Sequence, residues 1–569
     1  MPQEKVESRL LQVLQKILGE RFKLSDEAFV QLKPGLLEYP KEDSFGDISS
    51  PCALKLASVL KRSPRQIAQD LTSYLKEEIA LSELKTLIEK IDIAGAGFIN
   101  FHLSREYFFS VLRGINAVQD YFAFKPVKKR KLLIEFVSAN PTGPLSVAHG
   151  RQAAVGDALA NILEFLGHSV TREYYLNDEG NQINILGKSI YLRLQELKGE
   201  KTDFPEDHYQ GEYIVDLARE LFQSSVSLSV PACPAGRRQA GSQQSPEYCK
   251  EYGVKRILEI IRKELEDFGV RFDSWYSQAQ LQKSPKIEEA ISFLREKGFI
   301  YDSQGAVWFA STKFGDDKDR VIIKSDGSYT YLAPDIAYHQ DKFRRGYEWL
   351  INLWGPDHHG YIPRMKAAVS ALGKDSNSLD VIIVQLATLF RAGKVVSMST
   401  RKGEYVTLRQ VIDEVGKETG RFFFLMRKTD SHLDFDLELA KRQNAQNPAY
   451  YIQYAHARIS NILANSGVSL EKIQEADLGW LKEKEEMFLL RAFNRFKQSL
   501  KIVELQLDPY NLTVYLQELA ECFHRFYDTR KVLVEVPELK SARLSLILGC
   551  KNILASGLKL LGIKAPERM

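Results

Sequence analysis

The sequence has 569 residues with 78 Lys+Arg and 74 Asp+Glu, a formal net charge of +4, and 44% of its residues are hydrophobic. This balance of charge excludes a highly charged disordered chain, and the length allows about three to five folding units. The sequence lacks a secretory signal and any apolar run near the roughly 18–20 residues of a membrane helix. Its five cysteines are dispersed. We therefore expect a soluble multidomain protein of the cytoplasm, without a disulfide framework or a cysteine-based zinc site.

The first part of the chain, up to about residue 122, mixes helical and extended patterns. Apolar residues recur at helical spacing between Leu10 and Leu18. Ile91–Ile93 and Phe98–Phe101 predict two strands around a glycine-rich turn. The basic run at residues 125–131 is interpreted as a solvated linker, with a nucleic-acid-binding patch as the less favoured alternative.

A strand, a loop, a helix and a second strand are predicted between residues 132 and 176. Leu132–Val137 has the pattern of a buried strand, and the loop after it is rich in Pro, Gly, Ser and Asn. Apolar residues from Val155 to Leu166 lie on one helical face, and Val170–Leu176 is again extended. This order is typical of a parallel sheet, whose ligand site lies at the carboxyl ends of its strands.

The pattern changes twice more along the chain. Residues from about 190 to 320 are mostly charged and helical, and within them residues 224–245 lack periodicity, which predicts a flexible insertion. Alternation of strands and helices then resumes, with strands predicted at Tyr329–Leu332, Trp349–Trp354 and Val381–Leu389. After about residue 446 the apolar stripes predict the core of a helical bundle.

One segment of the loop region has the features of an anion site. Glu135 lies within an apolar strand, where an unpaired carboxylate is costly. The loop after it leads to Ser146–His149 at the start of a helix, where free N–H groups and the helix dipole favour phosphate. An ordinary turn between a strand and a helix is the alternative, and the spacing alone does not decide between them.

Two further segments carry polar groups that packing does not explain. Asp335 follows the predicted strand Tyr329–Leu332. Asp357, His358 and His359 follow the predicted strand Trp349–Trp354. A metal site at these three residues is a minor alternative, because adjacent histidines point apart. The segment 396–403 is a cationic loop, either a surface hairpin or a contact to a polyphosphate.

Several long segments, in order along nearly the whole chain, resemble the arginyl-tRNA synthetases, a family of class I aminoacyl-tRNA synthetases. These segments are Phe45–Asp47 with Ser49 and Ser50, Gly97–Phe101, Glu135–Gly143, Tyr174–Gln182, Gly355–Gly360, Asn447–Arg458 and Ala565–Met569. The resemblance implies an α/β fold with a Rossmann-like parallel-sheet catalytic domain at residues 123–445, which includes the region 190–320 as a connective insertion. It also implies an α+β N-terminal tRNA-contacting domain at residues 1–122 and an all-α anticodon-binding domain at residues 446–569.

Two signature motifs of the family are altered in this sequence. The tetrad His-x-Gly-His reads Ser146-Val147-Ala148-His149, and the loop Lys-Met-Ser-Lys aligns with Ser397–Thr400, which lacks both lysines. Some family members carry a compensating lysine before the first motif, but Gly143 and Pro144 occupy that region here. Arg401, Lys402 or Lys394 are candidates to supply the missing charge.

The resemblance implies a two-step reaction. L-Arginine and ATP, bound as its Mg²⁺ complex, form arginyl-adenylate and pyrophosphate, and the arginyl group then passes to the 3′-terminal ribose of tRNA(Arg) with release of AMP. The arginine carboxylate is ionised at neutral pH, so the first step needs no general base. A tightly bound metal, a DNA partner and a membrane partner are not expected, and the family expectation is a monomer.

The resemblance also implies roles for individual residues. Catalytic roles fall to His149, Arg401 and Lys402. Because a guanidinium is planar and always charged, carboxylates suit its site, and the implied arginine-binding residues are Glu135, Ser138, Asn140, Tyr331 and Asp335. The implied ATP-binding residues are Ser146, Ala148, His149, Gly355, Asp357, His358, Met398 and Ser399. The implied tRNA-binding residues are Tyr454 and Met569, although core packing is an equal interpretation for Tyr454.

Two other functions remain as alternatives. The first is a tRNA-binding paralogue with impaired catalysis, suggested by the altered motifs; the retained pocket residues favour the active enzyme. The second is another class I synthetase, such as one for glutamate. It is less favoured because two carboxylates would repel an anionic substrate.

Overall fold

The computed structural model describes residues 2–33, 35–40, 43–118, 120–123, 129–227, 245–396 and 405–569. Within these ranges, no helix combines the length and the apolar character needed to cross a membrane. Most of the insertion predicted at residues 224–245 lies outside them. Its first residues continue a helix to Ser227, and Ser245 caps the next helix by accepting a hydrogen bond from the Tyr248 N–H at 3.1 Å. For residues 228–244 the insertion stays a prediction.

The N-terminal part combines helices with a small antiparallel sheet. Its elements are α1 (Pro2–Phe22), α2 (Asp26–Leu32), β1 (Ile48–Ser50), α3 (Cys52–Leu60), α4 (Pro64–Ala80), β2 (Ile88–Ala94), β3 (Phe98–Leu103) and α5 (Arg105–Ala117). β3 lies between β1 and β2 and is antiparallel to both, so the two predicted strands are confirmed. Gly97 in their turn has φ 138°, and a Cβ there would lie 2.9 Å from the Pro64 carbonyl oxygen. This close approach requires glycine.

The middle of the chain begins with the predicted strand, helix and strand. Its first elements are β4 (Lys131–Glu135), α6 (Val147–Phe165), β5 (Ser169–Leu176), α7 (Asn181–Leu197), α8 (Glu212–Ser227), α9 (Pro246–Asp267), β6 (Ser274–Ser277), α10 (Gln278–Lys283), α11 (Lys286–Glu296), β7 (Ile300–Ser303), β8 (Ala306–Phe309) and β9 (Arg320–Ile323). β7, β8 and β9 form an antiparallel sheet inside the region predicted to be mostly helical. β7 and β8 are joined by a two-residue turn in which Gln304 and Gly305 both have positive φ, as a tight hairpin requires.

The second half of this part alternates strands and helices as predicted, with two differences. Its elements are α12 (Leu332–Arg344), β10 (Trp349–Trp354), α13 (Ile362–Ala371), β11 (Leu379–Ile383), β12 (Ala387–Arg391), β13 (Lys394–Val395), α14 (Leu408–Val415), α15 (Lys417–Leu425), β14 (Leu433–Asp436) and α16 (Leu437–Lys441). The strand predicted at Tyr329–Leu332 is wrong, because only Tyr329 makes an isolated bridge and Leu332 begins α12. The strand predicted at Val381–Leu389 is divided between β11 and β12.

A five-stranded parallel sheet in the order β11-β10-β4-β5-β6 forms the centre of the molecule. Its inner strands β4 and β10 are mainly apolar and buried, as parallel strands covered on both faces require. One row of the sheet is polar: Asn352, Glu135, Glu173 and Ser274 are register neighbours on four adjacent strands. This row lies beneath α12 and determines much of the site described below.

The C-terminal part is a helical bundle, as predicted for the described residues after 446. It consists of α17 (Pro448–Ala464), α18 (Leu470–Gln474), α19 (Lys484–Gln506), α20 (Tyr510–Thr529) and α21 (Pro537–Leu560). The bundle contacts the N-terminal part through buried polar pairs: the Tyr107 hydroxyl donates to Asn494 at 2.6 Å, and the Asn116 amide donates to the Ser545 carbonyl at 2.9 Å. The predicted α/β class, with an α+β N-terminal part and an all-α C-terminal part, is confirmed.

Candidate active site

A cavity of about 550 Å³ opens at the carboxyl ends of the central strands. The end of β4, the start of α6, the first turns of α12 and the loop after β10 surround it. Glu135, Asp335 and His149, on which the predicted site depends, all line this cavity. Its position is the one expected for ligands of a parallel sheet.

The backbone that leaves β4 is strained where it meets the cavity. Val137 has φ 66° and Ser138 has φ 40°. The Ser138 N–H donates to the Phe136 carbonyl at 2.9 Å, which closes a three-residue turn around Val137. Positive φ is unfavourable for a β-branched residue, and such strain concentrates at functional sites. Ser138 is held in this turn because its hydroxyl accepts the Tyr175 N–H at 3.1 Å.

Glu135 is not an isolated carboxylate. Its Oε2 atom lies 2.5 Å from Nζ of Lys342, a residue that is 0% exposed in its side chain. The same ammonium group donates to Oδ1 of Asn352 at 3.1 Å. The cost predicted for a buried carboxylate in this strand is therefore offset by an ion pair from α12.

A hydrogen-bonded chain continues from Lys342 to the backbone of Asp335. The Asn352 amide lies 2.9 Å from Nε2 of His339, and Nδ1 of His339 lies 2.8 Å from the Asp335 carbonyl oxygen. A carbonyl only accepts, so Nδ1 carries the proton and Nε2 accepts from Asn352. Burial lowers the pKa of His339 to about 3, and the nearby Lys342 charge acts in the same direction, so this imidazole is neutral.

Asp335 carries the carboxylate that faces the cavity. Its Oδ2 atom accepts a hydrogen bond from the Tyr361 hydroxyl at 2.6 Å. Burial raises the pKa of Asp335 to about 6, the Tyr361 hydrogen bond opposes that rise, and the charge of Glu135 adds to it. The carboxylate is thus ionised at neutral pH and is suited to a cationic group.

His149 lies in the first turn of α6 and presents a proton to the cavity. The Ser146 N–H donates to Nδ1 of His149 at 3.1 Å, so Nδ1 is the acceptor and the proton resides on Nε2. Burial lowers the pKa of His149 to about 4, which makes it a neutral hydrogen-bond donor. The Val147 N–H already donates to the Val406 carbonyl at 3.3 Å, so two N–H groups at this helix end are engaged within the protein.

The loop after β10 lines the other side of the cavity. Gly355, Asp357 and His358 contribute to the lining, and Asp357 and His358 are exposed neighbours at 3.7 Å. His359 is exposed and is not among the lining residues. Over the part of the chain that the structure describes, no group of three or more His, Cys, Asp or Glu is arranged to hold a metal ion.

Several predicted site residues belong to the second signature loop. Met398, Ser399, Arg401 and Lys402 lie outside the described residues, which end at 396 and resume at 405. The segment at which they resume is attached to the turn before α6. The Tyr405 hydroxyl donates to the Pro144 carbonyl at 2.9 Å, and the Leu408 N–H donates to the Leu145 carbonyl at 2.8 Å. The segment that follows the second signature loop is therefore hydrogen-bonded to the turn that precedes α6.

Two predicted site residues lie apart from the cavity. Tyr331, at the N-terminus of α12, is 83% exposed and is not among the residues that line the cavity with Asp335, so its role in binding arginine stays a prediction. It precedes the first helical turn, and its side chain faces solvent. Ser146 is also absent from the lining; its hydroxyl lies 3.2 Å from Nδ1 of His149 and helps to orient that ring. Ala148, Ser138 and Asn140 do line the cavity, and Asn140 donates to Gln182 at 2.6 Å.

The sequence analysis missed three residues that support the carboxylates: Lys342, Asn352 and Tyr361. A signal for Lys342 was present, since it follows Asp335 by seven positions and thus shares its helical face. Asn352 is a polar residue in the apolar strand Trp349–Trp354, the same anomaly that identified Glu135. No comparable pattern marks Tyr361.

The predicted tRNA-binding residues lie in the C-terminal bundle. Tyr454 is half-buried, stacks on Tyr450 and His524, and its hydroxyl accepts from the Arg458 guanidinium at 2.8 Å. Met569 is 53% exposed at the end of the chain. These contacts fit both interpretations of Tyr454, as a core packing residue and as a residue that binds tRNA.

Comparison with known proteins identifies relatives along nearly the whole chain. Three family models match: an arginyl tRNA synthetase N terminal domain at residues 4–103, a tRNA synthetases class I (R) catalytic domain at residues 115–433, and a DALR anticodon binding domain at residues 452–569. The arginine–tRNA ligase of Syntrophotalea carbinolica is 44% identical over 537 residues, which cover 94% of each chain. Arginine–tRNA ligase 1 of Halalkalibacterium halodurans is 45% identical over 539 residues, again 94% of each chain.

A solved structure supports the same fold. The arginyl-tRNA synthetase of Thermus thermophilus superposes with a TM-score of 0.72 at 22% identity, covering 94% of this chain and 96% of that one. At this level of identity the likeness concerns the fold alone. It confirms the predicted Rossmann-like class I arrangement of the parallel sheet with its flanking parts.

Proposed function

Because the chain belongs to the arginyl-tRNA synthetase family, we propose that it activates L-arginine with ATP and transfers the arginyl group to tRNA(Arg). The chain is an arginine–tRNA ligase, and AMP and pyrophosphate are its other products. The observation that carries the proposal is the cavity in which the Asp335 carboxylate and the His149 N–H donor meet at the carboxyl end of the sheet. The alternative of a paralogue with impaired catalysis finds no support among the relatives.

We assign the substrate guanidinium to the end of the cavity that contains Asp335. A carboxylate can accept two parallel N–H bonds from a guanidinium, which gives both charge and shape selection. Ser138, Asn140 and Glu135 line the same cavity and complete the proposed arginine site. Tyr331 keeps its predicted role in this proposal; its exposed side chain precedes the first turn of α12, which carries Asp335.

We assign the ATP phosphates to the side of the cavity formed by the start of α6. The reaction forms a bond between the arginine carboxylate and the α-phosphorus and breaks the bond to pyrophosphate. Its barrier is lowered by positioning and by donors directed at the phosphate oxygens. His149 supplies such a donor, and Ala148, Gly355, Asp357 and His358 line the nucleotide region. Mg²⁺ enters with ATP as part of the substrate complex, and Met398, Ser399, Arg401 and Lys402 retain their predicted roles.

We also propose the division of labour among the three parts of the chain. Residues 1–122 and 446–569 contact the tRNA, with Tyr454 and Met569 in the anticodon-binding surface, and residues 123–445 carry the chemistry. The protein acts as a monomer in the cytoplasm, where its substrates for translation are found. The partly exposed Tyr454 stacks with Tyr450 and His524, and unpaired anticodon bases can stack on aromatic side chains, which supports this assignment.

The function is tested by ATP–pyrophosphate exchange with arginine, in the presence and absence of tRNA(Arg). We expect arginine-dependent exchange with tRNA present, and formation of arginyl-tRNA in the complete reaction. Lysine and glutamate serve as amino-acid controls and should support neither reaction. If arginine with tRNA(Arg) gives no exchange and no arginyl-tRNA, the proposed function is wrong.

The pH dependence of arginine use should reflect Asp335. Protonation of this carboxyl removes the counter-charge of the guanidinium, so kcat/KM for arginine should fall about tenfold per pH unit below pH 6 and level off above it. His149 is neutral above about pH 4, so its titration adds no further fall in kcat/KM near pH 6.

The fall in kcat/KM for arginine at acid pH, here called the acid limb, must be separated from pH effects that are common to both substrates. Measuring kcat/KM for ATP on the same samples provides this separation. Glu264 accepts the Leu145 N–H beneath the turn into α6, and burial raises its pKa to about 7. Titration of Glu264 should affect kcat/KM for arginine and kcat/KM for ATP alike. The ratio of the two therefore reports the titration of Asp335 alone. A ratio that stays constant down to pH 5 would contradict the role of Asp335.

Replacing His149 tests the donor to the phosphates. His149→Ala removes the Nε2–H group, and we expect kcat to fall about 100-fold while KM for arginine changes little, because the donor acts on the charge that develops at phosphate. The measurement is steady-state exchange at saturating tRNA. A kcat close to that of the unaltered enzyme would exclude this role.

A further inference from the structure

Lys342 is a fully buried charge near the site, and it takes no part in the proposed chemistry. It is 0% exposed, pairs with Glu135 at 2.5 Å, donates to Asn352 at 3.1 Å and lies 4.1 Å from the centre of the Tyr338 ring. It does not line the cavity, so it supports Glu135 from behind. Burying an ammonium group is costly, and a fully enclosed lysine therefore calls for an explanation.

The charges around the polar row of the sheet can be counted pair by pair. Glu135 is balanced by Lys342, and Glu173 is balanced by Arg345 through contacts of 2.5 and 2.9 Å. His339 is neutral, as its hydrogen bonds require. Among the described residues Asp335 forms no ion pair, and its carboxylate is held only by the Tyr361 hydroxyl. Of the carboxylates beside the polar row in the described residues, Asp335 is thus the one without a cation as its partner.

We propose that Lys342 sets the charge of the arginine site: by pairing with Glu135 from behind the cavity, it leaves Asp335 as the carboxylate that receives the single positive charge of the substrate. This inference rests on the proposed function. Lys342 is a positioning and specificity-determining residue, since it acts on the substrate through the two carboxylates. The chain from Lys342 through Asn352 and His339 also fixes the backbone carbonyl of Asp335.

The charge of Lys342 favours the ionised form of Asp335 and opposes the effect of Glu135, whose charge raises the pKa of Asp335. Two neighbouring carboxylates without a cation share a proton, and at neutral pH one of them then loses its charge. The groups that face Lys342 or Glu135 are Glu173 and Tyr175 from β5 and Asp335, Tyr338 and His339 from α12. β10, the other strand beside β4, contributes no titratable residue. Of these groups, only Asp335 is free to change charge near neutral pH, because the others are held by an ion pair, by burial of a phenol or by a fixed tautomer.

The first test replaces the lysine alone. In Lys342→Met, the acid limb of kcat/KM for arginine should move up by about one pH unit or more, because the Coulomb attraction that favours ionised carboxylates is removed. At pH 5, below the pKa of Asp335 in both enzymes, this lowers kcat/KM for arginine by about tenfold or more, and at pH 7 by about twofold or more, while kcat/KM for ATP changes little.

Lys286→Met is the matched control for that variant. Lys286 pairs at 2.7 Å with Asp341 on α12, but it lies outside the cavity and is 38% exposed. We expect the profile of the unaltered enzyme. A Lys342→Met enzyme whose acid limb coincides with that of this control would overturn the inference.

Two further variants keep the test decisive if Lys342→Met does not fold. Glu135→Gln leaves the Lys342 charge to act on Asp335 alone, so the acid limb should move to lower pH, opposite to the first variant. The double variant Glu135→Gln with Lys342→Met removes both charges, which buried pairs tolerate better than the loss of one partner. Its limb should return to within about half a pH unit of the unaltered enzyme.

The outcomes distinguish this inference from the proposed function. Opposite shifts in the two single variants and recovery in the double variant support charge setting by Lys342. Shifts of the same sign, or a double variant no better than Lys342→Met, would mean that Lys342 only fills space. Absence of arginine-dependent exchange in the unaltered enzyme would instead refute the proposed function.

Discussion

We expect Asp335→Ala to lower kcat/KM for arginine by about 1,000-fold, because the substrate guanidinium would then be enclosed without its counter-charge. The loss should appear mainly in KM for arginine and leave KM for ATP within about threefold. The fold should be preserved. The folded-state pKa of this carboxyl is raised to about 6, so the ionised group reduces stability as pH rises through that value. Its removal should therefore leave the melting temperature at pH 7.5 unchanged or higher.

Exchange assays at saturating ATP and tRNA, with arginine varied, measure this effect. Asp341→Asn is a suitable control because Asp341 lies on the same helix and pairs with Lys286 outside the cavity. We expect the control to retain nearly full activity. Near-normal use of arginine by Asp335→Ala would remove the central assignment of the site.

The second large effect concerns a buried ion pair within the catalytic part, whose arginine also donates a hydrogen bond to the C-terminal part. The Arg421 side chain is 0% exposed, and its Nη2 donates to Asp157 on α6 at 2.6 Å. Its other N–H groups donate to the carbonyls of Leu561 at 2.9 Å and Phe268 at 3.3 Å. Gly562, with φ 69°, has no Cβ to obstruct the guanidinium. This one side chain thus joins three separate segments of the chain.

We expect Asp157→Ala to reduce the free energy of unfolding by about 3–5 kcal/mol, because it leaves the Arg421 guanidinium buried without a carboxylate. Chemical denaturation followed by tryptophan fluorescence, together with calorimetry, measures the loss. Removing the carboxylate of a solvent-exposed ion pair should reduce the free energy of unfolding much less.

The exposed pair Arg62–Asp70 provides that comparison. Its atoms are 2.7 Å apart, but both side chains are well exposed, at 44% and 43%. Asp70→Ala should therefore cost only about 0–1 kcal/mol. If Asp157→Ala reduced the free energy of unfolding as little as Asp70→Ala does, the contacts of Arg421 would not stabilise the packing of these segments.

Local patterns in the sequence were sufficient for the strand, loop and helix around residues 131–165. Apolar runs and helical spacing depend on which residues are near in sequence, so they could be recognised without the fold. The same holds for Glu135, because a carboxylate within an apolar strand is visible from its immediate neighbours alone. The two-residue turn at Gln304–Gly305 is the counterexample, because it lacks the usual Asn-Gly or Asp-Gly signal.

The partner of Glu135 could not be derived in the same way. Lys342 is 207 positions away in sequence, and only the packing of α12 on the central sheet brings the two together. The exposure of Tyr331 likewise depends on where α12 begins. The sequence analysis predicted a strand at this place and therefore missed the start of the helix.

The sequence by itself determined the α/β class, the family and the types of residue in the site, because periodicity and motifs are carried by neighbouring positions. Only the tertiary structure decided which charges are balanced and where protons reside. The proton of His149 lies on Nε2 because the Ser146 N–H occupies Nδ1, and Asp335 carries the free charge because Lys342 is already paired. Ionisation depends on burial and on neighbours distant in sequence, which are established only when the chain has folded.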